Sequence, residues 1–193
     1  MSSEKFVAVI PLRLGAPRKN RMAARLSPPE RERLADQLFV HVAAVVTAHP
    51  QIARTIVLSP AQPPTNAYEW RKDFGAGLNA ELESLRAEVP ADDFLIVHAD
   101  LPLLTDGDLT AMIDAAEEAG VAVAPDHTET GTNSVALKAG HRFAFAFGNG
   151  SLAAHLEACG DARVVRRIGL ALDIDCPGDL DLAEQQGFVR DCR

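Results

Sequence analysis

Asp93-Phe94-Leu95-Ile96-Val97-His98-Ala99-Asp100-Leu101-Pro102 is the stretch that decides the fold. A short run of branched and aromatic residues predicts a buried strand, and the proline two places after Asp100 cannot donate to a strand ladder. Asp100 is therefore expected at the carboxyl edge of a strand, which is where ligands bind in open α/β sheets. For Asp100 alone, a strand followed by a helix cap is the better interpretation.

Apolar strands alternate with amphipathic helices on both sides of this stretch. The strands are predicted at residues 6–11, 52–58, 121–125, 134–137, 164–165 and 170–174, with one more half-buried strand carrying Phe143, Phe145 and Phe147. The helices are predicted at 28–49, around 82–89, and at 109–119, 151–158 and 177–186, and residues 59–73 are predicted to be an irregular excursion at the sheet's edge. This alternation predicts an α/β three-layer sandwich with a mostly parallel mixed sheet, in a single domain over residues 1–193.

Composition narrows the class of protein. The chain has 193 residues, 47% of them hydrophobic, and a formal net charge of -8, which argues against a nucleic-acid partner. The first residues contain no signal-peptide core, and no apolar run reaches membrane-spanning length. The three cysteines, Cys159, Cys176 and Cys192, show no disulfide or zinc pattern. We therefore expect a soluble cytoplasmic protein with no membrane partner.

A second acidic feature lies near the end of the chain. Asp173 and Asp175 flank Ile174, so in a strand both carboxylates would lie on one face while Ile174 points into the core. Together with Asp100 they would form a cluster of three carboxylates that needs a cation, and hard oxygen ligands favour Mg²⁺. The alternative, that Asp173 and Asp175 cap the last helix, is equally open on this pattern.

The loop after the first strand is basic. Arg13, Lys19 and Arg21, with Arg18 and Arg25, crowd one segment of an acidic chain and could bind a triphosphate. The alternative is a solvated charge run. The sequence has no P-loop motif and no G-x-G-x-x-G after the first strand.

Two glycine-rich turns precede predicted helices, at residues 75–79 and 148–151. Backbone N–H groups at a helix N-terminus bind anions, and the hydroxyl of Ser151 adds a donor. Two such turns suggest two ligands, a nucleotide and a phosphorylated acceptor. The simpler interpretations are that Ser151 is a plain N-cap, that His155 lies on a helix face, and that His98 is a core or edge residue.

The ordered set of motifs resembles the CofC/FbiD guanylyltransferases, enzymes of coenzyme F-420 biosynthesis. The resemblance rests on Pro11, Arg13, Lys19, Arg21, Gly77-Leu78-Asn79, Asp100-Leu101-Pro102, Gly131-Thr132-Asn133, Phe147-Gly148-Asn149-Gly150-Ser151 with His155, and Asp173-Ile174-Asp175 with Pro177 and Asp179-Leu180. It covers almost the whole chain, from Val9 to Leu182.

This resemblance implies the glycosyltransferase-A-like nucleotidyltransferase fold and transfer of GMP from GTP to the phosphate of a three-carbon acid, with release of pyrophosphate. It implies four groups of residues. The metal ligands for Mg²⁺ would be Asp100, Asp173 and Asp175, and the catalytic residues Asp100, Lys19 and Arg21. The nucleotide would bind at Leu12, Arg13, Lys19, Arg21, Gly77, Leu78, Asn79 and Asp100, and the acceptor at Thr132, Asn133, Gly148 and Ser151.

One departure from the family pattern concerns the basic loop. The family usually has Pro-x-Lys after the first strand and then Ala-Lys-Ser-Arg-Leu, where this chain has Pro11-Leu12-Arg13 and Arg18-Lys19-Asn20-Arg21-Met22. Arginine spreads its charge over a planar fork, so the contact geometry of Arg13 is expected to differ.

Several alternatives stay open at this point. Phosphoenolpyruvate, 2-phospho-L-lactate and 3-phospho-D-glycerate all present a phosphate and a carboxylate on three carbons. A nucleotide-sugar glycosyltransferase of the same fold and a non-catalytic nucleotide-binding module are the other function classes, although a glycosyltransferase usually carries Asp-x-Asp where this chain has Asp100-Leu101-Pro102. A homodimer and hand-over of the product to a downstream transferase are two partner expectations that the sequence does not decide.

Overall fold

Seven strands form one mixed sheet in the computed structural model, which describes residues 5–14, 19–63, 67–90 and 92–191. The sheet order is β3-β2-β1-β4-β6-β5-β7. The neighbours β3/β2, β2/β1, β1/β4 and β5/β7 are parallel, while β6 runs antiparallel to both β4 and β5. The predicted mostly parallel mixed sheet is therefore confirmed. The strands are β1 Phe6–Pro11, β2 Ile52–Ser59, β3 Glu69–Lys72, β4 Asp93–Val97, β5 Val121–Pro125, β6 Thr132–Leu137 and β7 Arg163–Val164.

Capping boxes mark the start of two helices. Ser27 and Glu30 form a capping box at the start of α1, and Thr105 and Asp108 form another at the start of α3. Gly120 ends α3 with a φ of 83°, in the left-handed region that glycine adopts without strain. The helices are α1 Pro28–Ala48, α2 Leu78–Glu88, α3 Asp106–Ala119, α4 Ser151–Ala158, α5 Ile168–Ala171 and α6 Pro177–Gln185, with a 3-10 helix at Asn20–Ala24.

Successive residues of each central strand point to opposite faces of the sheet, and each face is covered by helices. Ile10 and Leu95 pack on one face against α1 and α3, while Val9 and Ile96 pack on the other against α2 and α4. This is the predicted three-layer sandwich. A third, smaller cluster joins the 3-10 helix, α1, α6 and the segment between α5 and α6, through Met22, Leu26, Leu34, Leu38, Leu172, Ile174, Leu180 and Ala183.

Three sequence predictions of secondary structure are wrong. The excursion at 59–73 contains the edge strand β3, whose polar sequence gives no apolar pattern because an edge strand needs little burial. The segment with Phe143, Phe145 and Phe147 forms no strand, although Phe143 and Phe145 are buried. In a sheet, a neighbouring strand would accept the backbone N–H groups of this segment, but here side chains of Glu83, His155 and Asn79 accept them. The bonds are Phe145 N to Glu83 Oε1 (3.2 Å), Ala146 N to His155 Nε2 (2.9 Å) and Phe147 N to Asn79 Oδ1 (2.8 Å).

The third wrong prediction is a strand at 170–174. Residues Ile168–Ala171 form the short helix α5, and the chain then runs extended without joining the sheet. Gly169 explains the tight packing of α5, since a Cβ there would lie 2.1 Å from Asp108 Oδ2 and 2.6 Å from the Leu103 carbonyl oxygen. A side chain at this position would push α5 away from the start of α3.

Two residues used in the sequence analysis, Arg18 and Cys192, lie outside the described residues. Within the described ranges, no helix combines the length and the apolar character that crossing a bilayer would need.

Candidate active site

Three carboxylates meet at one edge of the sheet. Asp100 follows β4 by a short turn, and Asp173 and Asp175 follow α5. One oxygen of each carboxylate lies within 4.8 Å of the others. The sequence pattern predicts Asp173 and Asp175 at a strand end, and that is wrong, but the three residues do come together as expected.

Backbone and side-chain contacts hold the acidic segment against β4. The Ile174 N–H donates to the Asp100 carbonyl oxygen at 3.2 Å, and Ile174 itself is fully buried. The buried Asn133 amide donates to the carbonyl oxygens of Leu170 (3.1 Å) and Ala171 (3.0 Å), the end of α5, and to Asp173 Oδ1 (3.2 Å). Asn133 therefore positions a carboxylate, in addition to any contact with an acceptor.

Helix capping does not account for the carboxylates. The N-terminus of α6 is capped by Asp179, whose Oδ2 accepts from the N–H groups of Asp175 (2.8 Å) and Cys176 (2.6 Å). At α3 the cap is Thr105 with Asp108, so Asp100 caps no helix either. The capping interpretation is wrong for all three carboxylates, and their side chains are left to meet each other.

Lys19 is the cation within this cluster. Its Nζ lies 2.7 Å from Asp100 Oδ2 and 3.3 Å from Asp175 Oδ1, and its side chain is only 8% exposed. Lys19 adopts a left-handed backbone conformation (φ 53°) just before the 3-10 helix, which is uncommon for a residue other than glycine. Arg21 contacts Asp175 at 3.8 Å but is 77% exposed, so its ion pair is weak.

The pKa values of Asp100 and Asp173 shift in opposite directions. Burial by itself raises the pKa of Asp100, but the charge and hydrogen bond of Lys19, together with the neighbouring His98, bring this pKa below its ordinary value. For Lys19, burial opposes the charge, yet Asp100 and Asp175 raise the pKa above its ordinary value. Burial, reinforced by the charge of Asp100, raises the pKa of Asp173 to about 6. The buried charge of Lys19 therefore does not compensate Asp173, whose pKa stays raised.

The donor set fits a divalent cation. Asp100 Oδ1 is buried and has no hydrogen-bond partner among the described residues, although such an atom is costly to leave unsatisfied. Three carboxylates from two segments supply the hard oxygen ligands that Mg²⁺ takes, with its remaining positions filled by water or phosphate oxygens.

The residues predicted to bind the nucleotide are spread over two loops. Leu12 is buried and continues from β1, whereas Arg13 is exposed and forms no ion pair with any residue that the structure describes. Gly77 is the N-cap of α2 with a φ of 94°, followed by the half-buried Leu78. Asn79 is engaged elsewhere, because its side chain both accepts from Phe147 N and donates to the Phe147 carbonyl oxygen at 3.1 Å.

Of the residues predicted to bind the acceptor, Thr132 and Asn133 begin β6 at the edge that carries the carboxylates, and Gly148 and Ser151 belong to the turn at the start of α4. Because β6 is antiparallel to β4, its first residue, Thr132, lies at the same edge of the sheet as Asp100. Ser151 is 2% exposed and is the first residue of α4, while Gly150 is the N-cap, so the plain N-cap interpretation of Ser151 is wrong. Gly148 precedes this turn with a φ of 139°, and its carbonyl accepts from Ser151 N at 3.2 Å.

Two histidines to which the sequence assigned no function, His98 and His127, lie next to the site. The His98 ring lies 5.2 Å from the Phe147 ring at an interplanar angle of 41°, and its buried Nε2 has no hydrogen-bond partner within the described part of the chain. Its position two residues before Asp100 was the available signal, since alternation in an extended chain places both on one side. His127 follows β5 and lies 4.0 Å from Asp173 Oδ1 and 3.5 Å from Asp179 Oδ1, a contact that only the fold creates.

Comparison with known proteins gives the family. A family model described as guanylyl transferase CofC like matches residues 6–184. A phosphoenolpyruvate guanylyltransferase of Sphaerobacter thermophilus is 38% identical over 188 residues, covering 91% of this chain and 90% of that protein. A 2-phospho-L-lactate guanylyltransferase of Methanopyrus kandleri is 28% identical over 176 residues, covering 89% and 87%.

The solved structures place the fold among nucleotidyltransferases. The 2-C-methyl-D-erythritol 4-phosphate cytidylyltransferase of Thermus thermophilus superposes with a TM-score of 0.56 at 17% identity, covering 96% of this chain and all of that one (100%). The nucleotidyltransferase fold that the resemblance implied is confirmed. Since the family match extends over nearly the entire sequence, the chain belongs to the CofC-like guanylyl transferase family.

Proposed function

We propose that this protein transfers GMP from GTP to the phosphate of phosphoenolpyruvate, releasing pyrophosphate, as a step in coenzyme F-420 biosynthesis. The observation that carries the proposal is the juxtaposition of two unlike sites at one sheet edge. One is the cluster of Asp100, Asp173 and Asp175 with Lys19, and the other is the uncharged group of Thr132, Gly148 and Ser151. A reaction between two phosphate esters needs both, because two polyanions must be held close together.

Asp100, Asp173 and Asp175 would hold Mg²⁺, which would offset charge on the triphosphate and on the transferring phosphoryl group. Lys19, whose Nζ lies 2.7 Å from Asp100 Oδ2 and 3.3 Å from Asp175 Oδ1, would turn from the carboxylates towards phosphate oxygens of the bound triphosphate. Arg21, exposed at the rim, adds positive charge where the triphosphate would enter. These residues would stabilise negative charge that builds up on the leaving pyrophosphate.

The chemical step is an in-line displacement. A phosphate oxygen of the acceptor attacks the α-phosphorus of GTP, a new P–O bond forms, and the bond between the α-phosphorus and the bridging oxygen breaks as pyrophosphate leaves. The attacking oxygen is already anionic at neutral pH, so no general base is needed. The protein's contribution is therefore alignment and charge compensation.

The acceptor is assigned from the relatives. The Sphaerobacter thermophilus protein, at 38% identity, is named for phosphoenolpyruvate, whereas the Methanopyrus kandleri protein, at 28%, is named for 2-phospho-L-lactate. The greater similarity to the former favours phosphoenolpyruvate. A nucleotide-sugar glycosyltransferase is less well supported, because Leu101-Pro102 replaces the second carboxylate of an Asp-x-Asp motif. Self-association and product hand-over stay predictions of the sequence.

The deciding experiment is a pyrophosphate-release assay with the purified protein. GTP and Mg²⁺ are supplied with phosphoenolpyruvate, 2-phospho-L-lactate or 3-phospho-D-glycerate in turn, and the nucleotide product is identified by mass spectrometry. We expect release that requires phosphoenolpyruvate and GTP, and a product whose mass equals GMP joined to the acid through a diphosphate.

The controls test each part of the proposal. ATP in place of GTP tests base selectivity, and EDTA tests the metal. Release with 2-phospho-L-lactate or 3-phospho-D-glycerate alone would reassign the acceptor and keep the reaction. No release with any acid, from protein that binds GTP, would contradict the proposal and favour a non-catalytic nucleotide-binding module.

A further inference from the structure

His155 is a fully buried histidine with a polar partner at each ring nitrogen. It lies on α4 at 0% exposure, beneath the turn that carries Gly148 and Ser151. Its Nε2 is 2.9 Å from the backbone nitrogen of Ala146, and its Nδ1 is 3.0 Å from Thr132 Oγ1. The ring thus joins the segment before Gly148 to the first residue of β6.

These two contacts fix the tautomer. A backbone N–H can only donate, so the Ala146 N–H requires a lone pair on Nε2, and the single proton of a neutral imidazole must then be on Nδ1. The Nδ1–H consequently donates to Thr132 Oγ1. Burial of the ring lowers the pKa of His155 to about 4, so the imidazole is neutral in any assay near neutral pH.

The rings around His155 prevent it from turning over. Phe143 stacks on it at a centroid distance of 5.2 Å with an interplanar angle of 30°, and Phe147 meets it edge-on at 5.0 Å and 76°. A flipped ring would exchange nitrogen and carbon positions and lose both hydrogen bonds inside the core, which is costly for buried polar groups.

This arrangement orients the hydroxyl of Thr132. A threonine hydroxyl has one proton to donate, and its oxygen is already an acceptor from His155. Within the described part of the chain, Oγ1 of this 3% exposed residue has no other hydrogen-bond partner. Its proton is therefore available to an acceptor outside the protein, at the sheet edge that also carries Asp100.

We infer that His155 is a positioning residue that makes the Thr132 hydroxyl a committed donor to the phosphorylated acid. This inference rests on the proposed function, which supplies the acid. A hydroxyl with no such neighbour spends part of its time with its proton turned away from the ligand, whereas Thr132 is held ready to donate. Hydrogen bonds to a charged group are strong, so the orientation should favour the anionic acceptor over neutral analogues.

The matched variants are His155→Asn and His155→Gln. An asparagine amide can place its NH₂ where Nδ1 lies and keep the donor to Thr132, while it loses the acceptor for Ala146. A glutamine amide can place its oxygen where Nε2 lies and keep the acceptor for Ala146, while it loses the donor to Thr132. Each variant removes one of the two contacts, so a purely structural role of His155 predicts similar effects.

We expect His155→Gln to raise KM for the acid about tenfold or more, and His155→Asn to raise it less than about threefold, with KM for GTP little changed in both. In a Thr132→Val background, where no hydroxyl is present, His155→Gln should add less than about a twofold effect. Equal KM increases in the two variants, or a full tenfold effect in the Thr132→Val background, would overturn the inference.

A second measurement keeps the inference testable if a variant fails to fold. In the wild-type protein, long-range ¹H–¹⁵N NMR correlations of His155 should show a pyridine-like Nε2 and a protonated Nδ1, without any ligand. A protonated Nε2 would overturn the inference even if the enzyme is active. Conversely, no pyrophosphate release by the wild type would refute the proposed function, while the tautomer measurement would still report on His155.

Discussion

The two halves of the candidate site are built in opposite ways. Around Asp100, the side chains are charged and partly exposed, and Lys19 pairs with two of the three carboxylates, Asp100 and Asp175. Around Thr132, the side chains are uncharged and buried, and a histidine in a fixed tautomer sets the direction of a hydroxyl. The first half depends on charge that must be supplied from outside, while the second is complete in the folded chain.

This difference matches what each half of the site has to bind. A site for a triphosphate with its cation can stay electrostatically incomplete, because the ligands bring the missing charge with them. The group that holds the attacking phosphate gains more from preorganisation, since a misaligned nucleophile costs rate directly. Substitutions in the two halves should therefore change different kinetic constants and stabilities.

Replacing the carboxylates should have the largest effect. We expect Asp100→Asn and Asp173→Asn each to lower kcat roughly a hundredfold or more, because each would remove a charged ligand from the cation site. The two variants should differ in stability at pH 7 without metal. Asp100→Asn should lose about 1 to 3 kcal/mol, since Lys19 loses its nearest partner, and Asp173→Asn should be more stable than the wild type.

The sign for Asp173 follows from its pKa of about 6, which lies above the ordinary value of 3.8. A raised pKa means that the folded state binds the proton more tightly, so this residue's stabilising contribution is complete below about pH 4 and is lost as the pH rises through 6. The free energy of unfolding in EDTA, measured by urea titration, should be equal for wild type and Asp173→Asn at pH 4. At pH 7 the free energy of unfolding of Asp173→Asn should exceed that of the wild type by about 3 kcal/mol. A constant difference between the two proteins across this range would contradict the assignment.

Lys19 gives the next largest effect. In Lys19→Met, Asp100 and Asp175 lose the buried ammonium that lies between them, so the protein should unfold at a lower temperature in EDTA than the wild type does. Mg²⁺ should then raise the melting temperature more in the variant than in the wild type, because ligand stabilisation grows with affinity and the ammonium no longer competes. Differential scanning fluorimetry over a Mg²⁺ series measures this. Arg21→Met, which removes an exposed charge, is the control, and its melting temperature should respond to Mg²⁺ as that of the wild type does. An identical Mg²⁺ response in all three proteins would argue that Lys19 and the metal do not share a site.

The sequence predicted the three-layer sandwich because the strands that carry it are short and strongly apolar. Residues such as Val9, Ile10, Leu95 and Ile96 are buried on alternate faces, and short apolar runs of this kind are typical of strands covered on both sides. Local capping signals also mark two helix starts, Ser27 with Glu30 at α1 and Thr105 with Asp108 at α3, although α3 begins three residues before the predicted 109.

The parts that the sequence did not predict depend on partners that are distant along the chain. Phe143, Phe145 and Phe147 alternate as a strand would, but side chains of Glu83, Asn79 and His155 take the backbone hydrogen bonds. Similarly, Asp173 reaches the carboxylate cluster from a loop, because Asn133, 40 residues away, binds the end of α5 and Asp173 together. Local patterns contain no information on such contacts.

Asn79 provides the smallest and most discriminating effect. The sequence motif assigns it to the nucleotide, but its side chain makes two hydrogen bonds to the Phe147 backbone, directly before Gly148. Asn79→Ala leaves the N–H and the carbonyl of Phe147 without these partners and should lower the free energy of unfolding by about 1 to 3 kcal/mol. It should also raise KM for the acid several-fold, because the turn before Ser151 loosens.

The same kinetics separate the two halves of the site. In Arg21→Met, which lies at the charged half, KM for GTP should rise several-fold while KM for the acid and the free energy of unfolding stay close to the wild type. Asn79→Ala should give the reverse pattern in both KM values. If Asn79→Ala instead raises KM for GTP and leaves KM for the acid unchanged, then Asn79 serves the nucleotide as the sequence motif predicted. Its contacts with Phe147 would then have to break when GTP binds, and the preorganised half of the site would be smaller than the Thr132, His155 and Phe147 contacts indicate.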